Sequence, residues 1–291
     1  PPAPDLHGAD KADPGTLGSV TTNAQVAAPV SDPAAGNNAD SESTLVKFVK
    51  GDLQNDLATD LFLGNTVTRE NRVWLMNGTT QISDQVFNPA TPSSAAQQVA
   101  GVDDFDGDRR NDLVFWNSAT GAVEFWLMNG VNRIGAPVPL SGGPTLSTNW
   151  KLSATADFNH DGRPDVVWRN FTSQKIVIWT MNGTAKLGNI IPVPDQAVDP
   201  NWEIVGAFDL NGDGHTDFLW YNYSSGKIVY WWMNGAVQRI AGNFTNPANA
   251  GDSNWKVLAG GDYGVGPGGV PGTVDVVWRN ADSGRYVVWF L

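Results

Sequence analysis

The stretch DFNHDGRPDVVWRN at residues 157–170 joins an acidic turn to a short run of β-branched and aromatic residues, and KIVIWTMNG follows it at residues 175–183. Runs of this composition favour β-strands. The Asn182-Gly183 pair at the end of the second run is a strong signal for a tight hairpin turn. Further short runs at residues 190–193 and 202–207 extend the prediction to four strands in one unit.

This unit repeats along the chain. Met-Asn-Gly occurs four times, at intervals of 52, 53 and 52 residues, and each methionine has a tryptophan two positions before it. Asp-rich loops recur in the same phase and begin at Asp52, Asp104, Asp157, Asp209 and Asp262. Four-stranded units with a period of about 40–50 residues are typical of propeller blades. The sequence therefore predicts an all-β fold, a five-bladed β-propeller with four-stranded blades.

The two ends of the sequence suggest how the ring closes. The last copy has only two strands after its loop when the sequence stops at Leu291. We expect N-terminal strands to complete this blade, because a closed ring leaves no exposed sheet edge. Residues 45–49 are the first donor, and residues 17–22 or 25–30 are candidates for a second. The predicted organisation is a low-complexity N-terminal arm at residues 1–44, able to add one closing strand, and a propeller at residues 45–291.

Composition excludes several classes of partner. The chain has 30 acidic and 18 basic residues and a net charge of −12, which argues against nucleic acid as a partner. No run of 18 apolar residues occurs, so we expect no membrane insertion. Cysteine is absent, which excludes disulfides and zinc–thiolate sites. The sequence begins at Pro1 without a methionine, and we interpret it as a processed product.

Three of the Asp-rich loops have the spacing of a calcium site. Hard oxygen ligands on alternate residues of a tight loop can converge on one Ca²⁺. We count positions from the first aspartate of each loop. Positions 1, 3, 5 and 9 would supply side-chain oxygens, and position 7 would supply its backbone carbonyl. The predicted ligands are Asp104, Asp106, Asp108, Arg110 and Asp112 in loop 2; Asp157, Asn159, Asp161, Arg163 and Asp165 in loop 3; and Asp209, Asn211, Asp213, His215 and Asp217 in loop 4. The alternative is that these are ordinary Asp/Asn/Gly turns without a metal.

The first and fifth loops depart from this pattern. Loop 1 offers Asp52, Gln54, Asp56 and Asp60, with Gln at position 3 and no glycine. Loop 5 runs from Asp262 to Asp275, is rich in Gly and Pro, and lacks the intervening acids, so we expect no calcium there. The prediction is three calcium ions, with a fourth if loop 1 also binds.

The Asp-rich loop, Asp-Val-Val-Trp-Arg-Asn and Trp-x-Met-Asn-Gly together resemble the FG-GAP/VCBS-type repeats of secreted bacterial proteins, over residues 45–291. The resemblance implies a β-propeller with Ca²⁺ in its blade loops and a secreted, extracellular or cell-surface location. Loops 2, 3 and 4 match the motif position by position, loop 1 matches it in part, and loop 5 departs from it. The family includes integrin-like adhesion modules, lectins and non-catalytic parts of polysaccharide lyases, so it does not fix one function.

Tryptophan is the main candidate for ligand contact. Eleven of the 13 Trp residues occupy three repeated columns, which we interpret as packing between blades. Trp116 and Trp232 lie outside these columns, and Tyr221 occupies the same repeat position as Trp116. Neighbouring residues of a strand point to opposite faces, so that position faces away from the Trp168 column. Trp116, Tyr221 and Trp232 are therefore the candidate ligand-binding residues.

These features favour binding over catalysis. His7, His160 and His215 form no catalytic set in the sequence, and the clustered carboxylates belong to the predicted calcium loops, so we expect no enzyme. The leading hypothesis is a secreted, calcium-stabilised binding or adhesion module for a glycan or a surface protein. The alternative is a structural subunit of an extracellular assembly that docks or self-assembles through its N-terminal arm. A polysaccharide-active enzyme is the third hypothesis.

Overall fold

The computed structural model describes residues 18–25, 39–46, 50–54, 56, 58–65, 68–197, 199–251, 254–263 and 274–290. The chain divides into two units, Pro1–Phe48 and Val49–Leu291. The first unit contains one antiparallel pair of strands, β1 (Gly18–Gln25) and β2 (Ala39–Val46). In the described part of the chain, no helix has the length and hydropathy needed to cross a membrane.

The second unit is a five-bladed β-propeller whose blades have three or four antiparallel strands. Blade 1 consists of β3 (Leu61–Gly64), β4 (Asn71–Asn77) and β5 (Thr80–Val86). Blade 2 consists of β6 (Gln97–Asp103), β7 (Asp112–Asn117), β8 (Val123–Trp126) and β11 (Val138–Pro139), with a small hairpin of β9 (Met128–Asn129) and β10 (Asn132–Arg133). Blade 3 consists of β12 (Trp150–Ala156), β13 (Asp165–Asn170), β14 (Ile176–Asn182) and β15 (Ala185–Ile190).

The last two blades follow the same order. Blade 4 consists of β16 (Trp202–Phe208), β17 (Asp217–Asn222), β18 (Lys227–Asn234) and β19 (Gln238–Asn249). Blade 5 has three strands in the described residues, β20 (Trp255–Gly261), β21 (Asp275–Asn280) and β22 (Tyr286–Trp289).

Blades 2 to 5 begin one strand earlier than the sequence predicts. Residues 202–207 are predicted to end the third unit, but β16 pairs with β17 and opens blade 4. The outer strand of blade 3 is β15, which follows the Asn182-Gly183 turn directly, and not residues 190–193. In blades 2 to 5 the Asp-rich loop therefore connects the first and second strands, whereas loop 1 directly precedes β3. All of these loops lie at the same end of the ring.

Five apolar clusters hold the ring together, one at each contact between blades. At the contact of blades 3 and 4, Phe158 and Ile178 pack with Trp220 and Trp231. Corresponding clusters join blades 1 and 2, blades 2 and 3, and blades 4 and 5. The second residue of every Asp-rich loop belongs to one of these clusters: Leu53, Phe105, Phe158, Leu210 and Tyr263. The interpretation of the repeated Trp columns as interblade packing is confirmed.

Blades 5 and 1 close the ring by packing against each other. Tyr263 and Val277 of blade 5 form one cluster with Met76 of blade 1. The Trp74 ring meets the Tyr286 ring edge-on, with centroids 5.0 Å apart. Since no chain connection joins these two blades, this seam depends on non-covalent contacts.

The predicted closing strand is not shown. Residues 45 and 46 belong to β2, which pairs with β1, and residues 47–49 lie outside the described residues. Strand exchange at the ends of the sequence therefore stays a prediction. In the part of the chain that the structure describes, side-chain packing closes the ring.

Lys50, which precedes blade 1 in the chain, links blades 2 and 3. Its ammonium nitrogen lies 3.4 Å from the Asp103 carboxylate of blade 2 and donates a hydrogen bond to the Thr155 carbonyl of blade 3. Burial raises the pKa of Asp103, and the Lys50 charge opposes that rise. Lys50 and Thr155 line a cavity of about 210 Å³ to which all five blades contribute. The first strands of the blades therefore surround a narrow axial space.

The seam should be the weak point of the ring. We expect Tyr263→Ala to lower the free energy of unfolding by about 3–5 kcal/mol, as for other buried aromatic truncations. It should also promote self-association, because an opened seam exposes the apolar faces of blades 1 and 5. Phe158→Ala is the matched control, since it empties the equivalent position between two covalently linked blades. Chemical denaturation and sedimentation velocity measure both effects, and a monomeric Tyr263→Ala protein of unchanged stability would contradict this account.

Candidate metal sites in the blade loops

Loop 2 connects β6 to β7 and brings three carboxylates together. One oxygen each of Asp104, Asp106 and Asp108 lies within 4.8 Å of the other two. The buried Asp104 carboxylate accepts the N–H groups of Gly107 and Arg109, both at 2.7 Å. Burial and the Asp108 charge raise the pKa of Asp104. Three oxygens so close together repel one another when ionised, and a divalent cation would neutralise that repulsion.

Loop 3 has the same hydrogen-bond skeleton. Asp157 accepts the N–H groups of His160 at 2.7 Å and of Gly162 at 2.8 Å. Asn159 replaces the aspartate at position 3, and its amide donates to Asp161 at 3.0 Å. Loop 4 repeats these bonds at Asp209, Asn211 and Asp213. Positions 1, 3 and 5 are therefore held in the same arrangement in all three loops.

Backbone conformation explains the glycines of the motif. Positions 4 and 6 have positive φ in loops 2, 3 and 4, a region that favours glycine. Glycine occupies four of these six positions, and His160 (φ 60°) and Arg109 (φ 67°) occupy the other two. The loop backbone is therefore conserved in shape across the three copies, even where a side chain has to adopt a left-handed conformation.

The last aspartate of loops 1 to 4, at position 9, accepts two backbone hydrogen bonds that join parts of its blade. We call this pair of bonds the clamp. Both oxygens of Asp112 are engaged by backbone N–H groups, one from Phe105 at 3.0 Å and one from Met128 at 2.8 Å. The same two bonds recur at Asp60, Asp165 and Asp217. The methionine is that of Met-Asn-Gly, so one carboxylate ties the loop to the third strand. Burial raises the pKa of Asp112 and of Asp165 to about 7.

The clamp separates the predicted calcium ligands at positions 1, 3 and 5 from the one at position 9. Positions 1, 3 and 5 present oxygens to one another, whereas the position-9 carboxylates already accept two amide hydrogens each. A carboxylate oxygen has more than one lone pair, so position 9 keeps capacity for a cation. At position 7, the backbone N–H groups of Arg110, Arg163 and His215 donate to the aspartate at position 5, at 2.9, 3.0 and 2.8 Å. The ligand role of positions 7 and 9 stays a prediction.

Loop 1 keeps both bonds of the clamp and loop 5 keeps the one to its second residue, but both loops differ elsewhere. In loop 1, Gln54 donates its side-chain amide to Asp56 at 2.8 Å, and Asp52 accepts the Gln54 N–H at 3.2 Å. In loop 5, Asp275 accepts the Tyr263 N–H at 2.9 Å. Residues 264–273 of loop 5 lie outside the described residues. The predictions of an optional calcium in loop 1 and none in loop 5 remain untested.

Two of the three aromatic candidates lie in the core. Trp116 is 5% exposed and packs between blades 2 and 3, and Tyr221 is 0% exposed. The Tyr221 hydroxyl donates to the Trp255 carbonyl at 3.1 Å. Neither ring offers a face to a ligand. The prediction from strand alternation fails here because each blade is covered on both faces, so both sides of its middle strand are buried.

Trp232, the third aromatic candidate, is not fully buried. It is half-buried and stacks on the half-buried Tyr230, with ring centroids 5.0 Å apart and an interplanar angle of 26°. Tyr230 was not among the residues that the sequence singled out. Its position two residues before Trp232 on one strand is the signal that could have identified it.

Contacts between neighbouring loops are the second feature that the sequence did not indicate. The side chain at position 8 reaches the preceding loop: Asn111 donates to the Asp52 carbonyl at 2.6 Å, and Thr216 donates to the Asp157 carbonyl at 2.8 Å. Thr59 makes the corresponding contact across the seam, where its hydroxyl accepts the Asp262 N–H at 3.1 Å. These contacts join loop 1 to loop 2, loop 3 to loop 4, and loop 5 to loop 1.

The clamp should matter for stability even without metal. In the presence of a chelator, Asp165→Ala leaves two buried N–H groups without an acceptor, at a cost of about 1–3 kcal/mol each. Asp165→Asn keeps one acceptor oxygen and should lose about half as much. Asp161→Ala, an exposed residue of the same loop, is the control and should cost less than about 1 kcal/mol. Denaturant titration gives all three values, and equal losses for Asp161→Ala and Asp165→Ala would argue against the clamp.

Comparison with known proteins bears on the repeats and the fold. The FG-GAP-like repeat family matches residues 104–168 and 157–220. No curated protein matches the chain. Among solved structures, it is similar to a Tc holotoxin pore from Photorhabdus luminescens, at 15% identity and a TM-score of 0.47, over 93% of this chain and 13% of that one.

Two further structures are similar at the level of fold. The Malassezia sympodialis allergen Mala s 1 is 13% identical with a TM-score of 0.42, over 81% of this chain and 90% of the allergen. TcdB2-TccC3 is 13% identical with a TM-score of 0.40, over 94% of this chain and 15% of that one. The chain thus spans 13% and 15% of the two toxin-complex chains. Residues 104–220 therefore match FG-GAP-like repeats, and the chain folds as a five-bladed β-propeller.

Proposed function

We propose that this chain is a secreted, calcium-stabilised and non-catalytic propeller that binds a protein partner through the outer edge of blades 3 and 4. The observation that carries the proposal is an exposed apolar surface on that edge, the apolar rim, formed by Leu187, Ile191, Val193, Val237 and Ile240. Each of these side chains is between 49% and 62% exposed. Exposed apolar groups that lie together favour an interaction surface.

The apolar rim is continuous across two blades. Val193 donates its N–H to the Val237 carbonyl at 2.6 Å, and Arg239 donates to the Val193 carbonyl at 2.8 Å. These bonds join the outer edge of blade 3 to the hairpin of blade 4. The adjacent strand β19 is 12 residues long and forms the edge of its sheet. A sheet edge with exposed apolar side chains is suited to contact with another protein.

Calcium is proposed for loops 2, 3 and 4. The support is the convergence of three carboxylates in loop 2 and the identical hydrogen-bond skeleton of loops 3 and 4. A bound ion would offset carboxylate repulsion and stabilise the folded chain by mass action. The contact between Thr216 and the Asp157 carbonyl would couple the ions of loops 3 and 4.

Removal of calcium should lower the melting temperature. We expect three bound ions per chain, recovery of the melting temperature with Ca²⁺, and poor recovery with Mg²⁺, which prefers a rigid octahedral site. Asp108→Ala should remove one ion, whereas the exposed Asp84→Ala, outside the loops, should remove none. Calorimetric titration and scanning fluorimetry test both points. The calcium proposal is wrong if the purified protein binds no calcium and the chelator leaves its melting temperature unchanged.

A photo-crosslinking amino acid can test the apolar rim. Placed at Leu187 or Val237, it should yield a discrete protein adduct on the surface of the producing cell or in its medium. Placed at Ile82, which is 54% exposed on blade 1, it is the matched control and should yield none. The reason is that contact with a partner buries only the edge of blades 3 and 4. Equal adducts at all three sites, or none at any, would contradict the proposal.

A glycan is the second candidate ligand, because the stacked Tyr230 and Trp232 rings could pack on a sugar. If a glycan is the ligand, the protein should give specific signals on a glycan array, and Trp232→Ala should abolish those signals. Val237→Lys, a change in the apolar rim, should leave those signals intact. The two candidates therefore predict opposite outcomes for the two variants.

A further inference from the structure

The structure brings two of the chain's three histidines together. His160 in loop 3 and His215 in loop 4 are 55 residues apart, yet His160 Nε2 lies 2.8 Å from His215 Nδ1. Their ring centroids are 4.9 Å apart with an interplanar angle of 73°. His160 is exposed and His215 is half-buried, so the pair is open to solvent.

The neighbouring loops hold this pair in place. Thr216, next to His215, donates its hydroxyl proton to the Asp157 carbonyl at 2.8 Å and so ties loop 4 to loop 3. His160 has φ 60°, and the equivalent positions of loops 2 and 4 are Gly107 and Gly212. A histidine thus occupies a left-handed position that glycine would adopt with less strain.

The surroundings of the pair favour a cation. The backbone N–H of His160 donates to the Asp157 carboxylate, and the backbone N–H of His215 donates to the Asp213 carboxylate. Each histidine therefore lies close to a carboxylate of its own loop. Asp161, a third acidic residue, directly follows His160 in the sequence of loop 3. The chain as a whole carries a net charge of −12. This electrostatic environment attracts cations and disfavours anionic ligands.

We propose that His160 and His215 together bind a divalent transition-metal ion, with Zn²⁺ as the best match, at the contact between blades 3 and 4. Imidazole nitrogen suits zinc, copper and nickel, whereas calcium prefers oxygen ligands, so this site is separate from the calcium loops in its chemistry. Zn–N bonds of about 2.0–2.1 Å in a tetrahedral arrangement place two nitrogens about 3.4 Å apart. The pair reaches that spacing by separating its nitrogens by about half an ångström, which exposed side chains allow.

The two imidazoles supply two of the four positions of a tetrahedral ion. Water or a side chain of a partner would fill the others, so the site can accept an external ligand. Because the histidines come from different blades, the bound ion would also link blade 3 to blade 4. Zinc should therefore stabilise the fold as well as bind to it.

The test uses the full chain saturated with Ca²⁺, so that the oxygen sites are filled before zinc is added. Calorimetric titration with Zn²⁺ is compared for the wild type, His160→Gly, His215→Gln and the double variant. His160→Gly introduces the residue that loops 2 and 4 have at this position, so its backbone is compatible with the fold. His7→Ala, which removes the third histidine, is the control.

We expect one zinc per chain in the wild type and in His7→Ala. Each single variant should weaken binding at least tenfold, and the double variant should be no weaker than the poorer single, because one remaining imidazole cannot chelate. Zinc should raise the melting temperature of the wild type but not of His160→Gly. The proposal is overturned if wild type and double variant bind zinc with affinities within twofold, or if His7→Ala abolishes the site.

Discussion

The buried carboxylate at the end of each Asp-rich loop is the interaction on which the blade depends. In loops 1 to 4 it accepts one N–H group from the second residue of its own loop and one from a methionine 16 residues later. The loop, the second strand and the third strand are thereby fixed to one another at a single point. The second loop residue is at the same time an apolar residue of the interblade cluster. A change at this aspartate would therefore disturb the loop, the hairpin and the packing of the next blade together.

Because the clamp repeats with the blade, the loops are presented in the same orientation at one end of the ring. Position 1 of the loop organises the turn through two further N–H bonds, which leaves positions 3 and 5 at the surface. The loops are then close enough for side chains of one to contact the next. Thr216 reaches loop 3, Asn111 reaches loop 1, and His160 meets His215. Because the repeat places one acidic loop in every blade, it also brings side chains of neighbouring loops into contact.

Burial on both faces of the blades decides which aromatic residues are available for contact. Trp116 and Tyr221 point away from the repeated Trp columns, but that side meets the adjacent blade and not solvent. Towards the outer strands, the neighbouring blades bury the side chains less completely. The half-buried Tyr230–Trp232 pair and the apolar rim lie in this region. Contact with partners is therefore expected at the edge of the ring and at its loop end.

The sequence by itself determined the number of blades, the position of the Asp-rich loops and the tight Asn-Gly turns, because each depends on local residue chemistry repeated at a fixed period. Periodicity does not state which strand of one copy pairs with which of the next, so the sequence sets the boundaries of blades 2 to 5 one strand too late. Only the tertiary structure decided that packing of Tyr263 and Trp74 closes the ring and that Asp112 acts as a clamp. It alone also showed that His160 meets His215. The closing contact and the histidine pair join residues far apart in the chain, and their distance is set by how blades stack, which no local pattern encodes. The Asp112 clamp joins a loop to the third strand of the same blade, and it depends on how the strands of that blade pair.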